Sequence, residues 1–315
     1  MRRSTTSSTN DPREAEPAAE LPAEPPEAPE GEDTTSRRTA LRRLGKAGLG
    51  AAALSFATFG PAVRDSLAQS MDGPVGILNF ALTLEYLERE YYNRGINTSG
   101  LIPDGDATDV YTLIADHESS HVDVLVAAIE SAGGDPVGPF EFEDFDFTAD
   151  GAVPNVFENP DADSSYPVYL ALSQAFEDTG VRAYKGQAAN IPSDLTVAGL
   201  NALTTALQIH SLEARHAAEV RRFRAIAGSD VEPYISDPLA GFAGLGLSDA
   251  AAGVVEMVYA GEDNLTQGGI NLGDAFDAYT DEEIVEAFDE PLGRDDVTAL
   301  AAPFAPFLGE DDDDG

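Results

Sequence analysis

The 315-residue chain contains no cysteine and no tryptophan, and its only lysines are Lys46 and Lys185. The absence of cysteine excludes disulfide bonds, thiolate metal ligands and a lipid anchor on a cysteine of this chain. Any metal that the protein binds must therefore be held by Glu, Asp and His side chains. Histidine is scarce as well, with four residues in the whole chain, so each one can be considered individually.

Several motifs that identify enzyme classes are also missing. The chain has no Gly-rich phosphate loop opening a helix, no Gly-x-Ser-x-Gly nucleophile elbow and no basic groove interleaved with aromatic residues. These absences set aside P-loop nucleotide hydrolases, serine hydrolases with that elbow and proteins that bind single-stranded nucleic acid.

Acidic residues greatly outnumber basic ones, with 57 Asp and Glu against 18 Lys and Arg and a net charge of −39. Residues 1–68 hold 9 of the basic and 10 of the acidic residues, which leaves 9 basic and 47 acidic residues, or 38 of the 39 net charges, on residues 69–315. Molar salt screens such repulsion over about 3 Å, so the composition predicts adaptation to a hypersaline medium. The same charge disfavours binding to nucleic acid or to an anionic membrane surface.

The amino-terminal 68 residues have the composition of a leader and not of a folded domain. Residues 4–35 are mostly Ser, Thr, Pro, Ala and Glu, which cannot bury enough apolar surface to fold. Arg37 and Arg38 then precede a short apolar run from residue 44 to 59 and an exit with small residues that ends at Ala68. This order predicts a disordered acidic leader and a twin-arginine signal peptide, and hence an extracellular or cell-surface protein.

A retained membrane anchor is the alternative interpretation of the same segment. Its apolar core is short, rich in Gly and Ala, and interrupted by Pro61. A membrane-spanning helix needs about 20 consecutive apolar residues, so cleavage near Ala68 is favoured.

Two copies of the motif Glu-x-x-His occur in the rest of the chain, as Glu118 with His121 and Glu213 with His216. Residues three apart lie on one face of an α-helix, so a carboxylate and an imidazole at this spacing can bind one metal ion. Two such helices supply half of the ligands of a dinuclear site in a helix bundle. The other half consists of one glutamate from each of two further helices.

Hydrophobic periodicity predicts four long helices at residues 72–93, 108–132, 167–190 and 195–227. The apolar face of the first carries Glu85, and that of the third carries Glu177, which meets the requirement for two lone glutamates. Glu88 lies on a neighbouring face of the first helix and is a second candidate. The lone and motif glutamates are 33 residues apart in the first pair (118 − 85) and 36 in the second (213 − 177), which indicates two similar helix hairpins.

The segments outside these helices predict the rest of the architecture. Residues 133–165 lack helical periodicity, and we interpret them as a long loop that crosses the bundle so that the second and third helices run parallel. We therefore expect an all-α four-helix bundle at residues 69–227, followed by a helical extension at 228–315 with an acidic tail. Glu256 and Glu262 of the extension are expected on its solvated surface.

The order of these glutamates and histidines resembles the ferritin-like superfamily with its di-iron or di-manganese carboxylate centre. More closely, residues 77–92 resemble the opening helix of exported ferritin-like proteins, grouped with plant desiccation-related proteins and here of haloarchaeal type. The resemblance covers roughly residues 72–227. It implies a ferritin-like bundle that binds two iron or manganese ions, whereas the activity of this family is poorly defined.

In such a centre, hard oxygen ligands and two imidazoles suit iron or manganese, and zinc binds as well. Glu118 and Glu213 are the expected bridging ligands, and His121 and His216 the terminal nitrogen ligands. Terminal carboxylates are then expected from Glu85 and Glu177.

The remaining histidines and three tyrosines are expected around the ligands. His117 is interpreted as a packing or hydrogen-bonding residue, whereas His210 is either an outer partner of a ligand or an additional ligand. Tyr92, Tyr111 and Tyr184 lie on inward faces, where they can hydrogen-bond ligands or take part in electron transfer, or simply pack in the core.

Two functions agree with these patterns. One is a redox enzyme that oxidises ferrous ions or consumes oxygen or peroxide in stress protection. The other is a non-catalytic desiccation or stress protein whose bundle binds metal structurally or not at all. We expect a monomer or a small homo-oligomer.

Overall fold

The computed structural model describes residues 73–308, apart from 198–199, 237–238, 240 and 277. The leader and twin-arginine signal predicted for residues 1–68 and the acidic end of the chain lie outside the described residues. Within those residues, no helix combines the length and the apolar character that crossing a membrane requires.

Four long helices form the bundle that the hydrophobic periodicity predicts. They are α1 (Gly73–Asn97), α2 (Asp106–Ser131), α3 (Ser165–Ala188) and α4 (Ala202–Ile226). The predicted end of the second helix near residue 132 is confirmed, because Gly133 adopts a φ of 78° and the amide of Gly134 donates to the Ile129 carbonyl at 3.0 Å. A left-handed residue at this position satisfies carbonyls that the last helical turn leaves free.

The predicted start of the fourth helix at residue 195 is wrong by about two turns. Two short strands, β1 (Thr196–Val197) and β2 (Leu200–Asn201), pair antiparallel in front of it. Asn201 then caps α4, since its side chain accepts a hydrogen bond from the amide of Thr204. A side-chain cap of this kind fixes where a helix begins.

The long helices pack as two hairpins, α1 against α2 and α3 against α4, around one apolar core. The connection between the hairpins, residues 132–164, contains one short 3₁₀ turn at Phe142–Asp144 and no strand among its described residues, so the predicted loop is confirmed. Its buried aromatic residues, Phe140, Phe145 and Phe147, belong to the same core as the helices. The loop is therefore a packed part of the bundle.

The extension consists of short elements that pack on the bundle. They are α5 (Asp249–Val258), β3 (Thr266–Gln267) paired with β4 (Ile270–Asn271), α6 (Leu272–Ala275), α7 (Asp281–Val285), α8 (Arg294–Ala301) and a 3₁₀ turn at Pro306–Leu308. A second apolar cluster joins Val255, Val297 and Leu300 of the extension to Phe80 of α1 and Ala183 of α3. The extension thus covers outer faces of α1 and α3.

A buried ion pair attaches the extension to the hairpin of α3 and α4. Arg221 of α4 donates to Asp178 of α3 at 2.5 Å, and the hydroxyl of Tyr259, next to α5, donates to the same carboxylate at 2.6 Å. Arg182 of α3 pairs with Glu262 at 2.8 Å and donates to backbone carbonyls of the extension. The expectation that Glu262 lies on the solvated surface is therefore wrong, because Arg182 supplies the charge that lets this carboxylate be buried, whereas Glu256 is exposed.

We predict that Asp178→Ala lowers the free energy of unfolding by about 3–5 kcal/mol, because it leaves Arg221 buried without its counter-charge and Tyr259 without its acceptor. Denaturant unfolding at constant high salt measures this change. The control is Arg222→Ala, which breaks exposed pairs with Asp106 and Glu219 and costs less than about 1 kcal/mol. Equal effects of the two substitutions would contradict the role of the buried pair.

Candidate metal centre

All six residues that the sequence predicts as ligands meet at the middle of the bundle. Each of the four glutamates lies near the centre of its own helix and is fully buried, and the two histidines are almost fully buried. Ligand atoms of these residues fall into two groups, each with its atoms within 4.8 Å of one another. One group contains Glu85, Glu118, His121 and Glu213, and the other contains Glu118, Glu177, Glu213 and His216.

Glu118 and Glu213 belong to both groups, which is the arrangement that bridging ligands require. Oε2 of Glu118 lies 2.9 Å from Nδ1 of His121, whereas its Oε1 lies 2.9 Å from Nδ1 of His216. The two oxygens of this one carboxylate therefore face different groups. Glu85 and Glu177 each belong to a single group, with oxygens 3.1 Å from His121 and 3.3 Å from His216 respectively.

Several of these atoms approach one another closely without forming hydrogen bonds. Within the described part of the chain, Oε1 of Glu118, Oε2 of Glu177, both oxygens of Glu213 and Nδ1 of His216 are buried without a hydrogen-bond partner. The 2.9 Å contact between Glu118 and His216 thus has a short distance but the wrong angles. Donor atoms that converge on a common point, instead of pointing at each other, are what a bound cation requires, so the residues present fit a metal pair.

Two tyrosines hold the terminal glutamates in a reciprocal arrangement. The hydroxyl of Tyr92 on α1 donates to Glu177 on α3, and the hydroxyl of Tyr184 on α3 donates to Glu85 on α1. Each tyrosine follows the glutamate of its own helix by seven residues and contacts the glutamate of the other helix. Because these contacts are reciprocal, α1 and α3 run antiparallel and are related by an approximate twofold axis. Tyr111, the third tyrosine considered from the sequence, makes no such contact, and its buried hydroxyl has no hydrogen-bond partner in the described structure.

The two further histidines have different roles. Nδ1 of His117 lies 3.0 Å from Nε2 of His216, on the side of that ring opposite to the carboxylates, so the prediction of a hydrogen-bonding residue is confirmed. This contact fixes the ring orientation of His216, as outer partners of metal-binding histidines do. His210 instead hydrogen-bonds the Val181 carbonyl at 3.0 Å and belongs to neither group, so the structure does not place it as an additional ligand.

Without cations the cluster shares protons among its carboxylates and imidazoles. Burial raises the pKa of Glu85 to about 7, and burial together with the charges of Glu118 and Glu177 raises the pKa of Glu213 well above its ordinary value. Burial acts in the same direction on Glu118, but its close contacts with the imidazoles of His121 and His216 outweigh burial and lower the pKa of Glu118 to about 2.

The pKa values of the two histidines are raised, whereas burial alone would lower them. Burial lowers the pKa of His216, but Glu177 and Glu118 outweigh it and raise the pKa to about 11. Burial likewise lowers the pKa of His121, which Glu85, Glu118 and Glu213 raise far above its ordinary value. Both shifts favour the protonated form of these imidazoles when no metal is bound.

Residues 73–225, which span α1 to nearly the end of α4, match the family model described as a ferritin-like domain. These residues form a ferritin-like domain. No curated protein and no solved structure matches the chain. The ferritin-like domain contains all six predicted ligands, so the superfamily expected from the glutamate and histidine spacing is confirmed, while the closer resemblance to exported desiccation-related proteins stays a prediction.

The sequence did not assign the partners of the ligands inside the ferritin-like domain. Tyr92 and Tyr184 were expected only on inward faces, and His117 had no assigned partner. The equal spacing from Glu85 to Tyr92 and from Glu177 to Tyr184 is a signal that could have paired them. For His117 no comparable signal exists, because its contact joins residues 99 positions apart.

We predict that divalent metal binding to the metal-free protein at pH 7 releases at least two protons per chain. Each Nδ1 must lose its proton to bind a cation, so the apparent metal affinity rises with pH. Calorimetric titrations with Mn²⁺ in two buffers of different ionisation enthalpy measure the number released. Uptake of Mn²⁺ with no buffer dependence would contradict the assignment of these two nitrogens.

Proposed function

We propose that the ferritin-like domain binds two iron or manganese ions and that this centre carries out a redox reaction in stress protection. The observation that supports the proposal is the pair of buried groups that share Glu118 and Glu213, with their converging oxygens and nitrogens. Perturbed, buried carboxylates and histidines that lie together in this way are typical of functional sites.

The charges of the ligands favour two divalent cations. Four ionised carboxylates carry four negative charges, which two divalent cations neutralise. Without cations, the burial of each ionised carboxylate costs several kcal/mol. In this arrangement Glu118 and Glu213 would hold both ions, Glu85 and His121 would hold one of them, and Glu177 and His216 would hold the other. Oxygen and imidazole ligands of this kind suit iron and manganese.

A bound iron or manganese pair would change oxidation state reversibly, so that it could accept electrons from ferrous ions and pass them to dioxygen or peroxide, which would be reduced. The surrounding residues keep the ligands in place during such a reaction. Tyr92 and Tyr184 orient the terminal carboxylates, and His117 orients the ring of His216. Because the ligands are fully buried, only a small reactant has access to them.

A small apolar cavity that Tyr184 lines in part favours dioxygen as that reactant. It has a volume of about 30 Å³ and is lined mainly by apolar side chains of all four helices, among them Leu84, Ala128 and Ala206. Tyr184 also lines it, and this tyrosine hydrogen-bonds Glu85. Since about 10–15 Å³ accommodates one water molecule, the cavity holds a diatomic molecule, and its apolar lining disfavours water and ions.

The second candidate is the non-catalytic desiccation or stress-related protein, and one observation favours it. His121 and His216 lie within hydrogen-bonding distance or ion-pairing distance of all four glutamates. Protonated imidazoles can therefore neutralise part of the carboxylate charge and hold the four helices together without metal. The centre is then a structural ion-pair network.

Metal analysis distinguishes the two candidates. We predict that full-length protein purified from a high-salt host contains about two iron or manganese ions per chain, and that Glu118→Ala/Glu213→Ala loses them because both bridging ligands are removed. The control is Glu130→Ala/Glu256→Ala, which removes two exposed glutamates and retains the metal. Oxygen consumption on addition of ferrous ions then tests the redox reaction.

A wild-type protein without bound iron or manganese under these conditions contradicts the redox proposal and favours the structural candidate. Two bound ions with no consumption of oxygen or peroxide also favour a structural role, with the metals as cross-links between helices.

We also propose that the protein is exported by the twin-arginine route into a hypersaline medium, where it is extracellular or at the cell surface. The support comes from Arg37 and Arg38 before an apolar run and from the strongly acidic remainder of the chain. Because that route carries folded proteins, the metal can be inserted inside the cell before export.

We predict that Arg37→Lys/Arg38→Lys retains the protein inside the cell, because the route depends on the arginine pair. Immunodetection in cell and medium fractions measures this. Arg42→Lys/Arg43→Lys is the matched control, since it conserves charge in the same segment and leaves export unchanged. Normal export of the first variant would contradict the proposed route.

A further inference from the structure

Glu88, one helical turn after Glu85 on α1, is a buried carboxylate that the six predicted ligands do not include. Its side chain is only 4% exposed. The buried carboxylates Asp178 and Glu262 pair with arginines, and the four predicted ligands contact tyrosines or histidines. Among the residues that the structure describes, Glu88 is the buried acid with neither a hydrogen bond nor an ion pair.

The absence of a side chain at Gly180 creates space beside this carboxylate. A Cβ atom at residue 180 would lie 3.4 Å from Oε1 of Glu88 and 3.1 Å from Oε2 of Glu213. Both carboxylates therefore border the same small volume in the middle of α3. Oε2 of Glu213 is one of the buried oxygens without a hydrogen-bond partner in the described chain.

A glycine in the interior of a helix is less favourable than alanine, so the space at Gly180 has a stability cost. Gly180 does not adopt a positive φ, which means that backbone conformation does not require glycine there. A Cβ atom at residue 180 would instead press on the carboxylate of Glu213 and touch that of Glu88.

The two hairpins differ at this position although they carry the same residues at the glutamate and at the tyrosine that follows it. Glu85 and Glu177 occupy equivalent places, as do Tyr92 and Tyr184 seven residues later. Three residues after the glutamate, α1 carries Glu88 and α3 carries Gly180. One hairpin therefore supplies an additional carboxylate, and the other supplies the room for it.

The charges that act on Glu88 come from glutamates of the candidate metal centre. Burial raises its pKa well above the ordinary value, and the charges that raise it further belong to Glu213, Glu177, Glu85 and Glu118, in that order. With no cationic side chain to pair with it, an ionised Glu88 needs a bound cation to offset its burial and this repulsion.

We propose that Glu88 is a further carboxylate ligand of the metal pair and reaches it through the space at Gly180. Glu88 lies outside both four-residue groups, so binding requires its side chain to move toward Glu213. This inference rests on the proposed dinuclear centre. It makes the centre asymmetric, because five carboxylates balance one divalent and one trivalent ion, whereas four balance two divalent ions.

Titration of the metal-free full-length chain with Mn²⁺, followed by the electron paramagnetic resonance signal of the free ion, tests the proposal. We expect Glu88→Gln to weaken Mn²⁺ binding at one of the two sites by about tenfold or more, because it removes an anionic oxygen. Gly180→Ala keeps Glu88 but fills its path, so we expect a similar loss.

Two controls separate this effect from unrelated changes. Gly253→Ala is a glycine substitution in the helix α5 with open space around it, and Glu130→Gln removes an exposed acid from α2. Both are expected to bind Mn²⁺ like the wild type. Thermal unfolding of the metal-free proteins is expected to show Glu88→Gln at least as stable as the wild type, because an unpaired buried carboxylate is removed.

An Mn²⁺ affinity of Glu88→Gln within about twofold of the wild type, with two ions still bound, overturns this inference and leaves the dinuclear centre standing. A wild-type chain that binds no Mn²⁺ removes the proposed centre and this inference together. Selective weakening of one site in both Glu88→Gln and Gly180→Ala supports it.

Discussion

The burial of carboxylates at the centre of the bundle is the constraint on which the rest of the structure depends. Five glutamates lie within the core, where a charged group without a partner is strongly unfavourable. Two histidines and two tyrosines contact four of these glutamates, yet several oxygens still lack partners in the described structure. Stabilising interactions elsewhere must therefore hold the helices together against this repulsion, or cations must reduce it.

Apolar packing provides much of that stabilisation on both sides of the centre. The crossover places aromatic residues such as Phe140, Phe145 and Phe147 in the core beside α1, and the extension forms a second apolar cluster on the outer faces of α1 and α3. The buried pair of Asp178 and Arg221 adds a polar connection between α3, α4 and the extension. These contacts keep the four central helices in register, which the convergence of six ligands requires.

The approximate twofold symmetry of the hairpins determines the arrangement of the centre. Reciprocal contacts of Tyr92 and Tyr184 hold the terminal glutamates on opposite sides, and Glu118 and Glu213 serve both groups. The symmetry is broken at Glu88 and Gly180 and by His117, which lies within hydrogen-bonding distance of His216. In the proposed centre, these local differences would give the two metal sites different properties although most of their ligands are the same.

The sequence by itself was sufficient to predict the four helices, the crossover and the six residues that meet in the core. Helical periodicity and the three-residue spacing from Glu118 and Glu213 to their histidines are properties of a single helix, so they can be recognised without knowing the packing. The start of α4, the burial of Glu262 and the contact between His117 and His216 depended instead on neighbours distant in sequence. The relation of Glu88 to Gly180 is of the same kind: the sequence identified a second acid on α1, but only the packing of α3 against α1 determined what lies beside it.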